Sequence, residues 1–106
     1  PSVLVNCIMA AEQHVEWISD LLEHLRDRGA NRIEAERDAQ DEWVAHVNEV
    51  ANRTLYPQAN SWYVGANVPG KPRVFMPYVG GLNVYRERCD EVAAAGYRGF
   101  RITAGV

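Results

Sequence analysis

The sequence has a single lysine, Lys71, and its eleven basic residues are outnumbered by fourteen acidic ones, for a formal net charge of −3. The two signs are mixed along the chain, so no basic face is available to track a phosphate backbone, which argues against a nucleic acid partner. Only two cysteines occur, Cys7 and Cys89, and their spacing is not C-x-x-C. Reduced thiols in a cytoplasmic protein are therefore expected rather than a disulfide. No apolar run approaches the roughly 20 residues that span a bilayer, and nothing reads as a secretion signal, so a soluble protein with no membrane contact is expected. His14, His24 and His46 lack the i, i+4 pairing of a helical metal site and read as surface or boundary residues. Cys7 has no base beside it and reads as a small buried side chain. No Ser-His-Asp arrangement, internal repeat or low-complexity tract is present.

What is there is helical at both ends. Val15, Ile18, Leu22 and Leu25 recur at three- and four-residue steps, with Trp17 and Leu21 widening the stripe, and predict an amphipathic helix from Glu12. Gly29 stops it behind Arg26 and Arg28. Residues 32–36 alternate like a short edge strand. Trp43, Val47, Val50 and Ala51 mark a second helix over 39–55, closed by Tyr56-Pro57. Val84, Tyr85, Cys89, Val92 and Ala93 mark a third, ended by Gly96, and residues 100–103 read as a last strand. Trp17 and Trp43 are expected in the core. The charges at Arg86, Glu87, Arg88, Asp90 and Glu91 read as a solvated helix face. Val3-Leu4-Val5 reads as a buried strand that needs neighbours outside this chain, and with a first residue that is proline it suggests a piece of a larger protein.

Between the second and third helices lies SWYVGANVPGKPRVFMPYVGG, residues 61–81, with three of the five prolines and half of the eight glycines. Gly65 to Lys71 fits G-x-x-x-x-G-K, the opening of a phosphate-binding loop. Pro72, however, stands where that motif needs Ser or Thr, and Pro69 and Pro72 oppose the helix that should follow, so nucleotide hydrolysis is rejected. Trp62 offers a flat apolar face and one N–H donor, and reads equally as a loop anchor or a ligand contact.

The string ANSWYVGANVPGKPRVFMPYVGG, flanked by EQHVEWISDLLEHLR and YRERCDEVAAAGYRGF, closely resembles the C-terminal region of the flavin-dependent Baeyer–Villiger monooxygenases of the cyclohexanone, phenylacetone and steroid monooxygenase type. The resemblance covers essentially the whole chain. It implies an α/β fold with two dinucleotide-binding domains, one for FAD and one for NADPH. The family inserts one oxygen atom of O2 into a ketone, giving an ester or lactone through a flavin peroxide. This chain lacks both G-x-G-x-x-G loops and the family's fingerprint, and so resembles only the closing segment: about three helices, short strands and a long Gly/Pro loop. Residues 1–57 would close the FAD domain, 58–81 would be a lid that senses NADP, and 82–106 would pack on the body.

Residue by residue, the resemblance makes Leu4, Asn6 and Cys7 candidates for the substrate pocket, with Val74 and Phe75 on its wall. Cys7, Ile8 and Met9 would lie by the flavin, the helix N-terminus in the Met9 to Gln13 turn facing its negative pyrimidine end. Trp62 would reach the NADP ribose, and Lys71 would bear on loop position or cofactor charge. Gly65, Pro69 and Gly70 would supply hinge and stiffness. No catalytic side chain and no metal ligand are expected. The implied partners are a ketone, O2 and the missing N-terminal part of the same enzyme, which would hold both cofactors. The isolated segment is expected to be inactive and to self-associate through uncovered apolar faces. The alternative is a non-enzymatic helical binding module.

Overall fold

The computed structural model describes residues 5–105. Helix α1 runs over Cys7–Asp27, strand β1 over Arg32–Ala35, helix α2 over Arg37–Ala51, helix α3 over Leu82–Ala94 and strand β2 over Phe100–Thr103. Two short 3-10 turns, Tyr56–Gln58 and Trp62–Val64, interrupt the segment between α2 and α3.

Helix α1 begins at Cys7, five residues before the expected Glu12, because Asn6 caps it. The Asn6 side-chain oxygen accepts from the amides of Ile8 and Met9, satisfying donors that would otherwise go unpaired in the first turn. At the other end Gly29 sits at φ 64. Its amide bonds Arg26 O at 3.0 Å while that of Ala30 bonds Leu25 O at 2.9 Å. Helix α3 ends in the same two-bond pattern, with Gly96 at φ 74 and the amide of Tyr97 on Val92 O at 2.8 Å. Helix α2 stops at Ala51, four residues short of expectation. The Thr54 hydroxyl and amide both turn back on the Ala51 carbonyl, at 2.6 and 3.0 Å, and close the helix before the proline is reached.

The expected edge strand is β1, and its partner is the last strand. The two pair antiparallel with Arg32 opposite Thr103 and Ala35 opposite Phe100. Asn31 extends the ladder by exchanging two bonds with the backbone of Gly105. Of the strand expected at Val3-Leu4-Val5, only Val5 lies within the described residues, and the chain bends there.

The apolar interior is divided. Leu21 and Leu25 of α1 pack with Tyr97, flanked by Trp17, Ala93 and the sheet residues Ile33, Phe100 and Ile102. A second cluster joins Val47 and Ala51 of α2 to Val64, Phe75 and Tyr78. Helices α1 and α3 are tied by the Trp17 indole N–H, which donates to Cys89 O at 2.9 Å. The chain is drawn out accordingly, with a radius of gyration of 15.8 Å against about 13 Å for a compact domain of this length. Among the described residues the ion pairs lie at the surface and add little.

Three burial expectations are overturned. Val15, Ile18 and Leu22, placed on the core stripe of α1, are exposed, and the helix instead buries Ala10, Gln13, Leu21 and Leu25. Trp43 is 37 % exposed, its ring stacked on Tyr78 at 5.3 Å rather than enclosed. Cys7 is exposed, because the early start of α1 carries it onto the first turn.

Candidate functional site

The Gly/Pro segment is a loop on two fixed stems. Ser61 caps the Trp62–Val64 turn, its hydroxyl accepting from the Tyr63 amide at 3.1 Å. Gly65 then reverses the chain at φ 72, a conformation other residues adopt at a cost. On the return, the amides of Val74 and Met76 bond Val64 O and Tyr63 O at 3.3 and 2.9 Å. Arg73 reaches back to Ala59 O at 2.8 Å, and Asn48 of α2 accepts from the Phe75 amide at 2.9 Å. Residues 66–73 between the stems are all exposed.

This arrangement disposes of the phosphate-loop pattern. The Lys71 stem lies over Gly65, where an added Cβ would meet Lys71 Cδ at 3.4 Å, and no helix follows before Leu82. The backbone amides that would cradle a phosphate are therefore not arrayed at a helix N-terminus.

Trp62 is 55 % exposed, with its ring against Tyr63 at 4.3 Å. Its indole N–H makes no hydrogen bond among the described residues, which leaves a donor and a flat face turned outward. Phe75 is 3 % exposed and belongs to the α2 cluster, whereas Val74 beside it is 39 % exposed. Cys7, Ile8 and Met9 form the exposed first turn of α1. The helix terminus expected over Met9 to Gln13 is therefore one turn earlier, and Asn6 is its cap. Leu4 lies outside the described residues. Among the described residues no group of three or more His, Cys, Asp or Glu is placed to hold a metal ion, and no helix is long and apolar enough to cross a membrane.

Tertiary packing assembles an aromatic wall that no sequence motif marks. Tyr78, in the loop, packs against Trp43, Tyr85 and His46, and its hydroxyl lies 3.2 Å from His46 Nε2. Burial pushes the Tyr85 phenol up to about 12, helped by Cys89. The wall borders a cleft of about 980 Å³ between α2 and the α1–α3 pair, which Gln13 and His14 also line. No periodicity marks Tyr78, because it is held by a loop rather than by a helix or strand.

Burial, reinforced by the positive charge of Arg88, pulls the His46 pKa below its ordinary 6.5. The unfolded chain then takes up this proton before the folded one. Stability is full above pH 6.5 and falls as the pH drops from there to the depressed folded value. Urea unfolding at stepped pH should show this loss, and His46→Gln should flatten the slope across that window.

No family model matches the chain. It is 46% identical over 102 residues to acetone monooxygenase (methyl acetate-forming) of Gordonia sp. strain TY-5, covering 96% of this chain and 19% of that protein. A Baeyer–Villiger monooxygenase of Pseudooceanicola batsensis is 40% identical over 92 residues, covering 87% of this chain and 17% of that protein. Among solved structures, oxidized steroid monooxygenase bound to NADP superposes with a TM-score of 0.89 at 47% identity, over 99% of this chain and 19% of its own. The chain is homologous to one segment of the flavin-dependent Baeyer–Villiger monooxygenases.

The chain spans about a fifth of the length of these Baeyer–Villiger monooxygenases. With an identity near one half across nearly its whole length, it shares the segment's local fold as well as its sequence.

Proposed function

We propose that this chain is the closing segment of an FAD- and NADPH-dependent monooxygenase that converts a ketone and O2 into an ester or lactone, and that its loop is the lid over NADP. The observation that carries this reading is the loop's construction. An exposed tip, residues 66–73, rides on stems held by backbone bonds, with the Trp62 indole N–H unspent at its base. Such a tip can close over a bound dinucleotide while its stems stay in place, and closure excludes water from the site.

The residues present fit a dinucleotide. Trp62 supplies a donor and an apolar face suited to a ribose, and Lys71, the sole lysine, places a cation on the same loop. Gly65 lets the tip turn. On the flavin side, the exposed first turn of α1 offers Cys7, Ile8 and Met9 as a lining. Its positive helix end favours an anionic neighbour, though Asn6 already takes two of its amides. Val74 is the better exposed of the two wall candidates, and Phe75 backs it from the core. When bound, the flavin and NADPH supply the electrons and the oxygen chemistry. The chain's own residues bind, orient and exclude water, and none of them is assigned a proton transfer.

Two preparations test this. The 106-residue chain alone should emerge from gel filtration without flavin absorbance and should form no product. Grafted into acetone monooxygenase in place of the matching 102 residues, it should retain FAD and form methyl acetate from acetone with NADPH. Stable flavin on the isolated chain, or a folded chimera that never consumes NADPH, would refute the reading.

A further inference from the structure

The return stem of the loop is held from two sides in alternation. The amides of Val74 and Met76 face the outgoing stem, donating to Val64 O and Tyr63 O at 3.3 and 2.9 Å. Between them the amide of Phe75 faces the other way and donates to Asn48 Oδ1 of α2 at 2.9 Å. Side-chain burial alternates in step, with Val74 at 39 % exposure, Phe75 at 3 % and Met76 at 53 %. Asn48 thus stands where a further strand would stand in a sheet, offering one acceptor in place of a backbone carbonyl.

Asn48 is itself oriented. Its Nδ2 donates to Val44 O, one turn back on α2, at 2.8 Å. That bond leaves the oxygen as the end of the amide that faces the loop. A flipped amide would set an NH2 group against the Phe75 N–H, two donors with no acceptor between them.

A stem of period two can slip, because a shift of one residue exchanges its faces. Here each shift is opposed by a particular residue. Advancing the stem by one would bring Pro77 opposite Tyr63 O, and advancing it by two would bring Pro77 opposite Asn48. Proline has no N–H for either acceptor. Retreat by one turns the Phe75 ring out to water. Retreat by two puts Pro72 opposite Val64 O and the charged Arg73 among Val47, Ala51 and Val64. The observed register gives Asn48 an amide and the apolar cluster a ring at the same time.

We propose that Asn48 is a positioning residue for the lid: its oxygen, aimed by Val44 O, selects the register of the return stem and, through one further hydrogen bond, the place of Trp62. This rests on the function proposed above. The path is short, since Asn48 holds the Phe75 amide, the adjacent Met76 amide holds Tyr63 O, and the Tyr63 ring lies against that of Trp62 at 4.3 Å. Asn48 acts through the fraction of molecules whose stem is in register, and a ligand that needs that register binds in proportion to it.

The test is made in the acetone monooxygenase chimera, with FAD retention and Tm reporting that each variant is folded. Asn48→Leu removes the acceptor and keeps a side chain of similar reach. Hydrogen exchange at the Phe75 amide, read by mass spectrometry on peptides that end on either side of it, should become at least about 10-fold faster through local opening. NADP should bind about 2- to 12-fold more weakly, the range for one lost hydrogen bond, with kcat unchanged at saturating NADPH. Asn48→Asp keeps an acceptor, and since either carboxylate oxygen serves, exchange at Phe75 should stay within about 3-fold of the parent chimera. In a Trp62→Ala background Asn48→Leu should leave NADP affinity unchanged, because the residue it positions is gone. Unaltered exchange at Phe75 in Asn48→Leu, or an Asn48→Asp variant that exchanges like the leucine one, would overturn the register role. Equal NADP losses from Asn48→Leu with and without Trp62 would overturn the link to the lid. A folded chimera whose Phe75 amide responds as expected but which never consumes NADPH would leave Asn48 setting the stem and sink the enzymatic reading instead.

Discussion

Phe75→Ala should cost about 3–5 kcal/mol, the usual loss for an emptied aromatic site, and should detach the loop from α2. The ring is 3 % exposed and is held among Val47, Ala51, Val64 and Tyr78, with the rings of Tyr56 and Tyr63 at 5.8 and 6.2 Å. Little else anchors the return stem: two backbone bonds to Tyr63 and Val64, one from the Phe75 amide to the Asn48 side-chain oxygen, and Arg73 on Ala59 O. Small domains have a total stability of roughly 5–15 kcal/mol, and here two modest clusters share the burden, so the substitution should remove a large share of the isolated chain's stability at 25 °C. Urea unfolding followed by tryptophan fluorescence measures the loss. Val74→Ala is the control, expected to cost less than about 1 kcal/mol because its side chain is 39 % exposed. Equal losses at the two positions would mean that Phe75 is not the anchor.

Trp62→Ala, made in the acetone monooxygenase chimera, should weaken NADP binding by about 5- to 150-fold. That range corresponds to ~1–3 kcal/mol for one hydrogen bond and the aromatic contact together. More NADPH should also be consumed for each methyl acetate formed, since a lid that fails to order admits water. Trp62→Phe keeps a ring but loses the donor, and should fall between the wild type and alanine. Stability separates the two roles open to this residue. Its ring is 55 % exposed and touches Tyr63, so removing it should hardly change Tm. A large fall in Tm with unchanged NADP affinity and coupling would make Trp62 an anchor only.

The glycine-closed helix ends were the most legible part of the fold. Gly29 and Gly96 follow the last periodic residues of α1 and α3, and both take the left-handed conformation that closes a helix. The start of α1 was equally available in Asn6, which stands immediately before the first helical residue. The apolar period, which becomes regular only several residues later, points instead to a start at Glu12. At the end of α2, Tyr56-Pro57 was the visible stop signal, while Thr54 closed the helix first by bonding Ala51 O.

The loop was legible as a loop, and its resemblance to the monooxygenase family was carried by the same residues. Its stems were not legible. The bonds from Val74 and Met76 to Val64 and Tyr63, and from Phe75 to Asn48, depend on a chain reversal that no periodic pattern announces. Tyr78 entered the aromatic wall by the same route.

Burial was the least legible property. Helix α1 carries apolar side chains over more than half of its circumference, from Ile8 and Val15 round to Leu21 and Leu25. The pattern alone cannot say which part of so wide a face is used. Docking of α3 and Tyr97 buries the Leu21–Leu25 side and leaves Val15, Ile18 and Leu22 in the open. By itself, the sequence determined where α1 and α3 stop, at Gly29 and Gly96, and which loop carries the family likeness, because those follow from sterics and hydrogen bonds among residues a few positions apart. Only the tertiary structure decided which apolar face is covered, how the interior divides into two clusters and where a cleft is left, because burial depends on partners brought from far along the chain.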